Sequence, residues 1–409
     1  MPDQPAIVIV ASLDTKAAEA RLIAEQLEAA GEQVLTIDFG TFDASGMAPD
    51  ISAAQVCAAA GADILLLRAA ADRGRVLDAM CRGVAAIVRR LHADKKIAGV
   101  IGFGGSGGTL VGSAAMRALP FGFPKLLVST IASGDVRAYV DISDICMLNS
   151  VVDFVGINPI SETVLRNAAS AIAGMVRARR QQPPSTGKSA SLIAATMFGV
   201  TTPLVEKCRR LLEPAGHTVV AFHATGTGGR SMDSLIADGL FRAVLDLTPT
   251  EWADEVVGGT LSAGPTRMEA AARAGIPQVI APGALDMVNF GGAGGLPARF
   301  QGRRIHRHDE NMTLMRTTVE ENTEIGRRVM EKLNASTGPV AILFPCKGIS
   351  AIDIAGNPFY DADADAALLA AFRANAAAHV EIQELDLHIN DDAFADACCR
   401  KLLSFLRSS

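Results

Sequence analysis

The chain alternates short, continuous apolar runs with longer stretches that repeat apolar positions every three or four residues. Residues 6–11 (AIVIVA) read as a buried strand. Residues 15–30 place Ala20, Ile23, Leu27 and Ala30 on one face, a helical pattern that Gly31 stops. Residues 34–38 form the next strand. This order predicts a parallel strand pair joined by a helix. The polar turn Ser12-Leu13-Asp14-Thr15-Lys16 then lies at the carboxyl end of the first strand, where open α/β sheets place ligands. The alternation continues with strands over 62–68, 97–103, 125–131 and 144–148, and helices over 75–91, 110–119 and 160–179.

The second half restarts the pattern. Strands are expected over 191–196, 218–222, 243–247, 277–281, 340–344 and 380–385, and helices over 204–214, 266–274, 311–333 and 391–406. The last helix carries Phe394, Cys398, Leu402 and Phe405 on one stripe, which reads as core. Asp38 lies seven residues after Gly31, and His223 seven after Gly216. The pattern predicts an α/β chain of two tandem Rossmann-like, doubly wound domains with mainly parallel sheets, over residues 1–180 and 190–409.

Residues 181–189 (QQPPSTGKS) read as the linker, because consecutive prolines cannot continue a helix. Gly187-Lys188-Ser189 mimics the end of a P-loop. The first glycine of that motif would fall at Gln182, and a strand rather than a helix follows, so the linker reading stands.

Composition narrows the function classes. A length of 409 residues exceeds the usual single core, and 49% apolar with 20% charged residues suits a compact α/β protein. A net charge of −6 argues against a general nucleic-acid or membrane-surface binder. No apolar run is long enough to span a bilayer, and no basic region precedes Ile7, so a cytoplasmic protein is expected. The seven cysteines are dispersed without a C-x-x-C, so reduced thiols are expected and no metal site.

Candidate chemistry gathers at predicted strand ends. The stretch Gly102-Phe103-Gly104-Gly105-Ser106-Gly107-Gly108-Thr109 follows a strand and precedes a helix, a geometry that offers backbone N–H groups to an anion. It matches both the dinucleotide fingerprint and the P-loop, each incompletely. No acidic residue ends the next strand, which weakens a nicotinamide dinucleotide. Gly108 stands where a P-loop has lysine, which weakens ordinary ATPase chemistry. The alternative is glycine used only for close helix–strand packing. The same edge should gather Ser12, Asp14, Thr15, Lys16, Arg68, Ser129, Ser133 and Asp135, with Lys16 and Arg68 supplying positive charge and Asp14 or Asp135 holding Mg²⁺ or a ribose.

In the second half, His223-Ala224-Thr225-Gly226-Thr227-Gly228-Gly229-Arg230 offers an imidazole, hydroxyls and amides to an oxyanion or carboxylate. His306 and His308 read either as metal or proton-transfer groups or as a hydrated polar loop leading into a helix that bears Arg316. An enzyme at this half would use His223 and His308 as acid/base groups. Arg230, Arg316 and Lys347 would hold a small anionic substrate, with Asp353 orienting the lysine.

Several segments recur together: Ala11 to Lys16, the 102–109 loop, Thr196 to Pro203, Phe222 to Arg230, Pro282 to Gly291, Thr313 to Thr317 and Lys347 to Ser350. Together they resemble a family of largely uncharacterised bacterial and fungal proteins that includes the tomato mosaic virus resistance protein. Two positions depart from its pattern, Asp309 for asparagine and Cys346 for a leucine-like residue. The resemblance implies a two-domain Rossmann-like architecture, a homodimer, and ATP bound at the glycine loop. It carries ATP contacts onto Gly104, Gly105, Ser106, Gly107, Gly108 and Thr109, and onto Ser12, Thr15 and Lys16.

Overall fold

A computed structural model of the chain describes residues 4–44, 46–70, 72–181, 191–292 and 295–408. It divides into two compact units, residues 1–185 and 186–409. The expected linker falls almost wholly outside the described residues; only Gln181 is seen, as the last residue of the helix Pro159–Gln181.

The first unit is built on five strands: β1 (Ala6–Ala11), β2 (Val34–Asp38), β3 (Ile97–Gly104), β4 (Lys125–Ser129) and β5 (Cys146–Asn149). All pair in parallel, in the order β2-β1-β3-β4-β5. Alternate side chains serve opposite faces. Ile7, Ile9, Ile101, Phe103, Leu126 and Val128 pack on the helices Ala17–Ala29 and Pro159–Gln181. Val8, Val10, Ile37, Val100 and Leu127 pack on the helices Arg73–Ala93 and Ser106–Arg117. With both faces covered, the strands have no polar side to show, which is why they read as unbroken apolar runs.

The second unit repeats this plan with β6 (Ser191–Met197), β7 (His217–His223), β8 (Ala243–Asp246) and β9 (Gln278–Ile280). Three strands follow as an insertion: β10 (Met287–Gly291), β11 (Ile305–Arg307) and β12 (Met312–Arg316). The main sheet resumes with β13 (Val340–Pro345) and β14 (Val380–Leu385). The parallel sheet runs β7-β6-β8-β9-β13-β14, the strand order of the first unit extended by one. The insertion is a separate antiparallel sheet, β10-β12-β11. The α/β class with two mainly parallel sheets is therefore as expected.

Two expectations fail. Residues 62–68 are not a strand; Ile64–Ala70 is a helix, and none of its residues is buried. Asp63 starts it, its carboxylate accepting from Leu65 N at 2.7 Å, and leucine favours a helix where no neighbouring strand competes. Arg316 does not sit on a helix. It ends β12, and the helix begins only at Val319, where Thr318 and Glu321 close a capping box. Among the described residues, no single helix is long and apolar enough to cross a membrane.

Candidate functional site

In a sheet of order 2-1-3-4-5, the chain leaves in opposite directions from the first and third strands, and a crevice opens between their carboxyl ends. Here those ends carry the Ser12–Lys16 turn after β1 and the glycine turn after β3. A cavity of about 700 Å³ lies between them. Ser12, Asp14, Thr15 and Lys16 line it on one side, and Gly105, Ser106, Gly107 and Gly108 on the other.

The glycines are themselves the first turn of the helix, which starts at Ser106 rather than at residue 110. First-turn N–H groups have no partner within a helix, and Gly105 at the cap has no side chain to offer them. The glycines divide by role. A Cβ on Gly108 would stand 2.7 Å from Phe103 O, so close packing demands that glycine. A Cβ on Gly107 would meet nothing nearer than 3.6 Å, because it faces the cavity.

Several predicted residues are structural supports. Thr109 turns inward: its hydroxyl donates to Gly105 O at 2.9 Å and lies 2.6 Å from the Ser129 hydroxyl. Both are fully buried, and neither they nor Gly104 line the cavity. The expected hydroxyl contribution of Thr109 is thus spent on holding the turn. Asp14 accepts from the Ser12 hydroxyl at 2.6 Å and from Phe42 N at 3.1 Å, which ties the β1 turn to the loop after β2. Buried Asp38 accepts from Leu13 N and Gly40 N, bracing the same two loops; burial raises its pKa. Lys16 and Arg68 reach the cavity wall as expected.

Sequence reasoning missed the rest of the wall. Phe39, Thr41 and Phe42 follow β2, and Asp153 follows β5. Each lies just past a strand's carboxyl end, the signal that would have found them. Leu67, Val76 and Leu77 add an apolar side, and Asp72 and Arg73 stand at the start of the helix Arg73–Ala93.

The second unit treats its own glycine turn differently. The helix Thr227–Ala237 follows β7, and Glu251 Oε1 accepts from Gly226 N at 2.8 Å and Gly229 N at 2.9 Å. The carboxylate that the sequence invites here is the chain's own. Arg267 locks it, bonding Glu251 and Asp246 at 2.8 Å each, with Asp233 at 3.6 Å; Arg267, Glu251 and Asp246 are buried, and Asp233 is partly so. Burial, foremost, pushes Asp233 up to about 6.

The proposed catalytic set is not assembled as expected. Arg316 is buried, and its guanidinium is saturated by Asp365 at 2.6 Å, Phe359 O at 2.7 Å and the Thr317 hydroxyl at 2.9 Å. Asp353 sits 3.8 Å from Arg316 and accepts from Ile349 N. It does not orient Lys347, which pairs with Asp386 at the surface. His308 is exposed in the turn between β11 and β12, one residue past the end of β11. His223 is exposed, its ring 5.4 Å from that of Phe198. Among the described residues, no contact joins His223, His308 and Lys347.

Comparison with known proteins gives one consistent result. The N-terminal domain model of the "Uncharacterised protein family (UPF0261)" matches residues 5–181, and its C-terminal domain model matches residues 190–406. A UPF0261 protein of Clostridium tetani is 47% identical over 401 residues, covering 98% of both chains. One from Rhizobium meliloti is 45% identical over 96% of both. The ToMV resistance protein Tm-1 of Solanum lycopersicum is 42% identical over 329 residues, 80% of this chain and 44% of that longer protein. The resemblance read from the sequence segments is borne out.

Proposed function

We propose that this chain, which belongs to the UPF0261 family, binds ATP in the cavity of its first unit. One observation carries the reading: an uncapped helix turn, Gly105 to Gly108, opens onto a cavity that Lys16, Arg68 and Arg73 also line. Unpaired first-turn amides and nearby cations suit phosphate oxygens. The apolar side, with Phe39, Phe42 and Leu77, suits a flat base. Asp14, Asp72 and Asp153 also line the cavity, so Mg²⁺ bound to the phosphates would offset their charge.

Calorimetry with ATP in the presence and absence of Mg²⁺ tests the reading. Stoichiometric, Mg²⁺-dependent binding that Gly107→Asp abolishes in a folded protein is the expected result. Equal affinity in the variant would refute the site. Self-association as a homodimer belongs to the same reading; the exposed apolar side chains Leu65, Leu66, Val151 and Val155 support it. Sedimentation equilibrium decides it, and a monomer at micromolar concentration would remove it.

A further inference from the structure

We propose that the first unit carries a second ligand site, at the amino-terminal edge of its sheet, and that this site takes a small polycarboxylate. A cavity of about 650 Å³ lies there. Pro5, Ile97 and Phe123 line it, each at or just before the start of a strand, β1, β3 and β4 in turn. It shares no lining residue with the cavity at the strands' carboxyl ends, so it stands apart from the nucleotide reading.

The rim is cationic. Lys95, Arg179 and Arg180 line the cavity with His92, and no carboxylate does, in a chain of net charge −6. Arg180 is fixed in place: Nη1 pairs with the buried Glu32 at 2.8 Å, and Nη2 donates to Pro5 O at 3.2 Å. The Arg179 guanidinium lies 5.5 Å from the centroid of the Phe123 ring, and its Nη1 donates to Gly122 O. The Lys95 ammonium pairs with no group among the described residues.

Lys95 holds its place against the backbone's preference. It follows the helix Arg73–Ala93 with a φ of 57°, and its N–H donates to His92 O at 2.9 Å. Two other helices of this unit end in the same turn, and there the left-handed position is glycine, Gly31 at 81° and Gly61 at 70°. A side chain at such a position is strained where glycine is not.

Three permanent cations call for a ligand with more than one anionic group. Guanidinium forks match carboxylates, and Ile97, Val176 and Phe123 offer a carbon frame an apolar floor. Two helices end at this cavity rather than begin, so no first-turn amides are offered to a phosphate, and side chains carry the recognition. Cations at helix ends also answer the negative pole of the helix dipole, and that role alone predicts no bound anion.

Calorimetry with citrate separates the two roles. Wild type should take one citrate per chain. Lys95→Gly, which relieves the backbone, should weaken it about tenfold, and adding Arg179→Gln should bring the loss to about a hundredfold. Arg89→Gln removes an exposed charge from the same helix, outside the cavity lining, and should bind citrate as wild type does. A wild-type chain that gives no heat of binding with millimolar citrate would overturn the proposal. So would wild-type affinity in the double variant, or an equal loss in Arg89→Gln.

Discussion

Two helices in this molecule open on similar small-residue strings, Gly105-Ser106-Gly107-Gly108-Thr109 after β3 and Thr225-Gly226-Thr227-Gly228-Gly229 after β7. In the first unit the turn faces a cavity. In the second, Glu251 fills the turn and Arg267 holds Glu251 there. The strands that carry the turns differ in position, third in one sheet and second in the other, though the strand orders match. A glycine turn therefore advertises an acceptor without saying whether the acceptor comes from outside. The partner residue, 22 positions away in sequence from Gly229, decides it.

This contrast can be broken most forcefully at Glu251. Glu251→Ala leaves two amides unpaired and Arg267 undercompensated in the interior, a loss of about 3–5 kcal/mol. The chain's single tryptophan, Trp252, is buried beside it, so urea unfolding followed by its fluorescence reads this unit directly. A loss below about 1 kcal/mol would show that the buried network is not what holds the turn.

A glycine-for-glycine test comes next. A Cβ on Gly229 would stand 2.0 Å from Glu251 Oε2, so Gly229→Ala should cost about 1–3 kcal/mol. Gly107→Ala, with its nearest atom at 3.6 Å, should stay within about 0.5 kcal/mol. Equal costs in thermal melts would erase the distinction between a filled turn and an open one.

The interior carboxylates also sharpen the comparison through pH. Burial is the leading cause that raises Asp233 to about 6 and Asp254 to about 7 from 3.8. Burial, then the charge of Asp353, raises Asp286 and Asp365 as well. Each group binds its proton more tightly in the folded state. The stability this contributes is full below pH 3.8 and is lost as pH rises through the folded values. Trp252-monitored unfolding should show stability falling from pH 5 to pH 9 by at least about 1 kcal/mol, and Asp365→Asn should flatten the slope. A rise across that range would mean these carboxylates are ionised in the fold.

Much of the fold was legible because parallel strands buried on both faces have no alternation to misread. The legible part of the site was the part with a local signature: Ser12, Asp14, Thr15, Lys16, Arg68 and the four residues from Gly105 to Gly108. Thr41, Phe42 and Asp153 escaped because nothing in their own segments marks them; only the sheet brings them to one edge. Residues 62–68 misled because an exposed apolar helix and a buried strand spell alike over seven residues. Arg316 misled because a charged residue in the sequence invites a ligand, whereas the fold supplies Asp365 from a helix 49 positions on.

The wall of the cavity has one further consequence. Its three cations, Lys16, Arg68 and Arg73, are matched by three carboxylates, Asp14, Asp72 and Asp153, while the whole chain carries −6. A polyanion approaching this mouth meets no attractive long-range field. Capture then depends on collisions close enough for short-range donors to act, and added salt should change the encounter rate little.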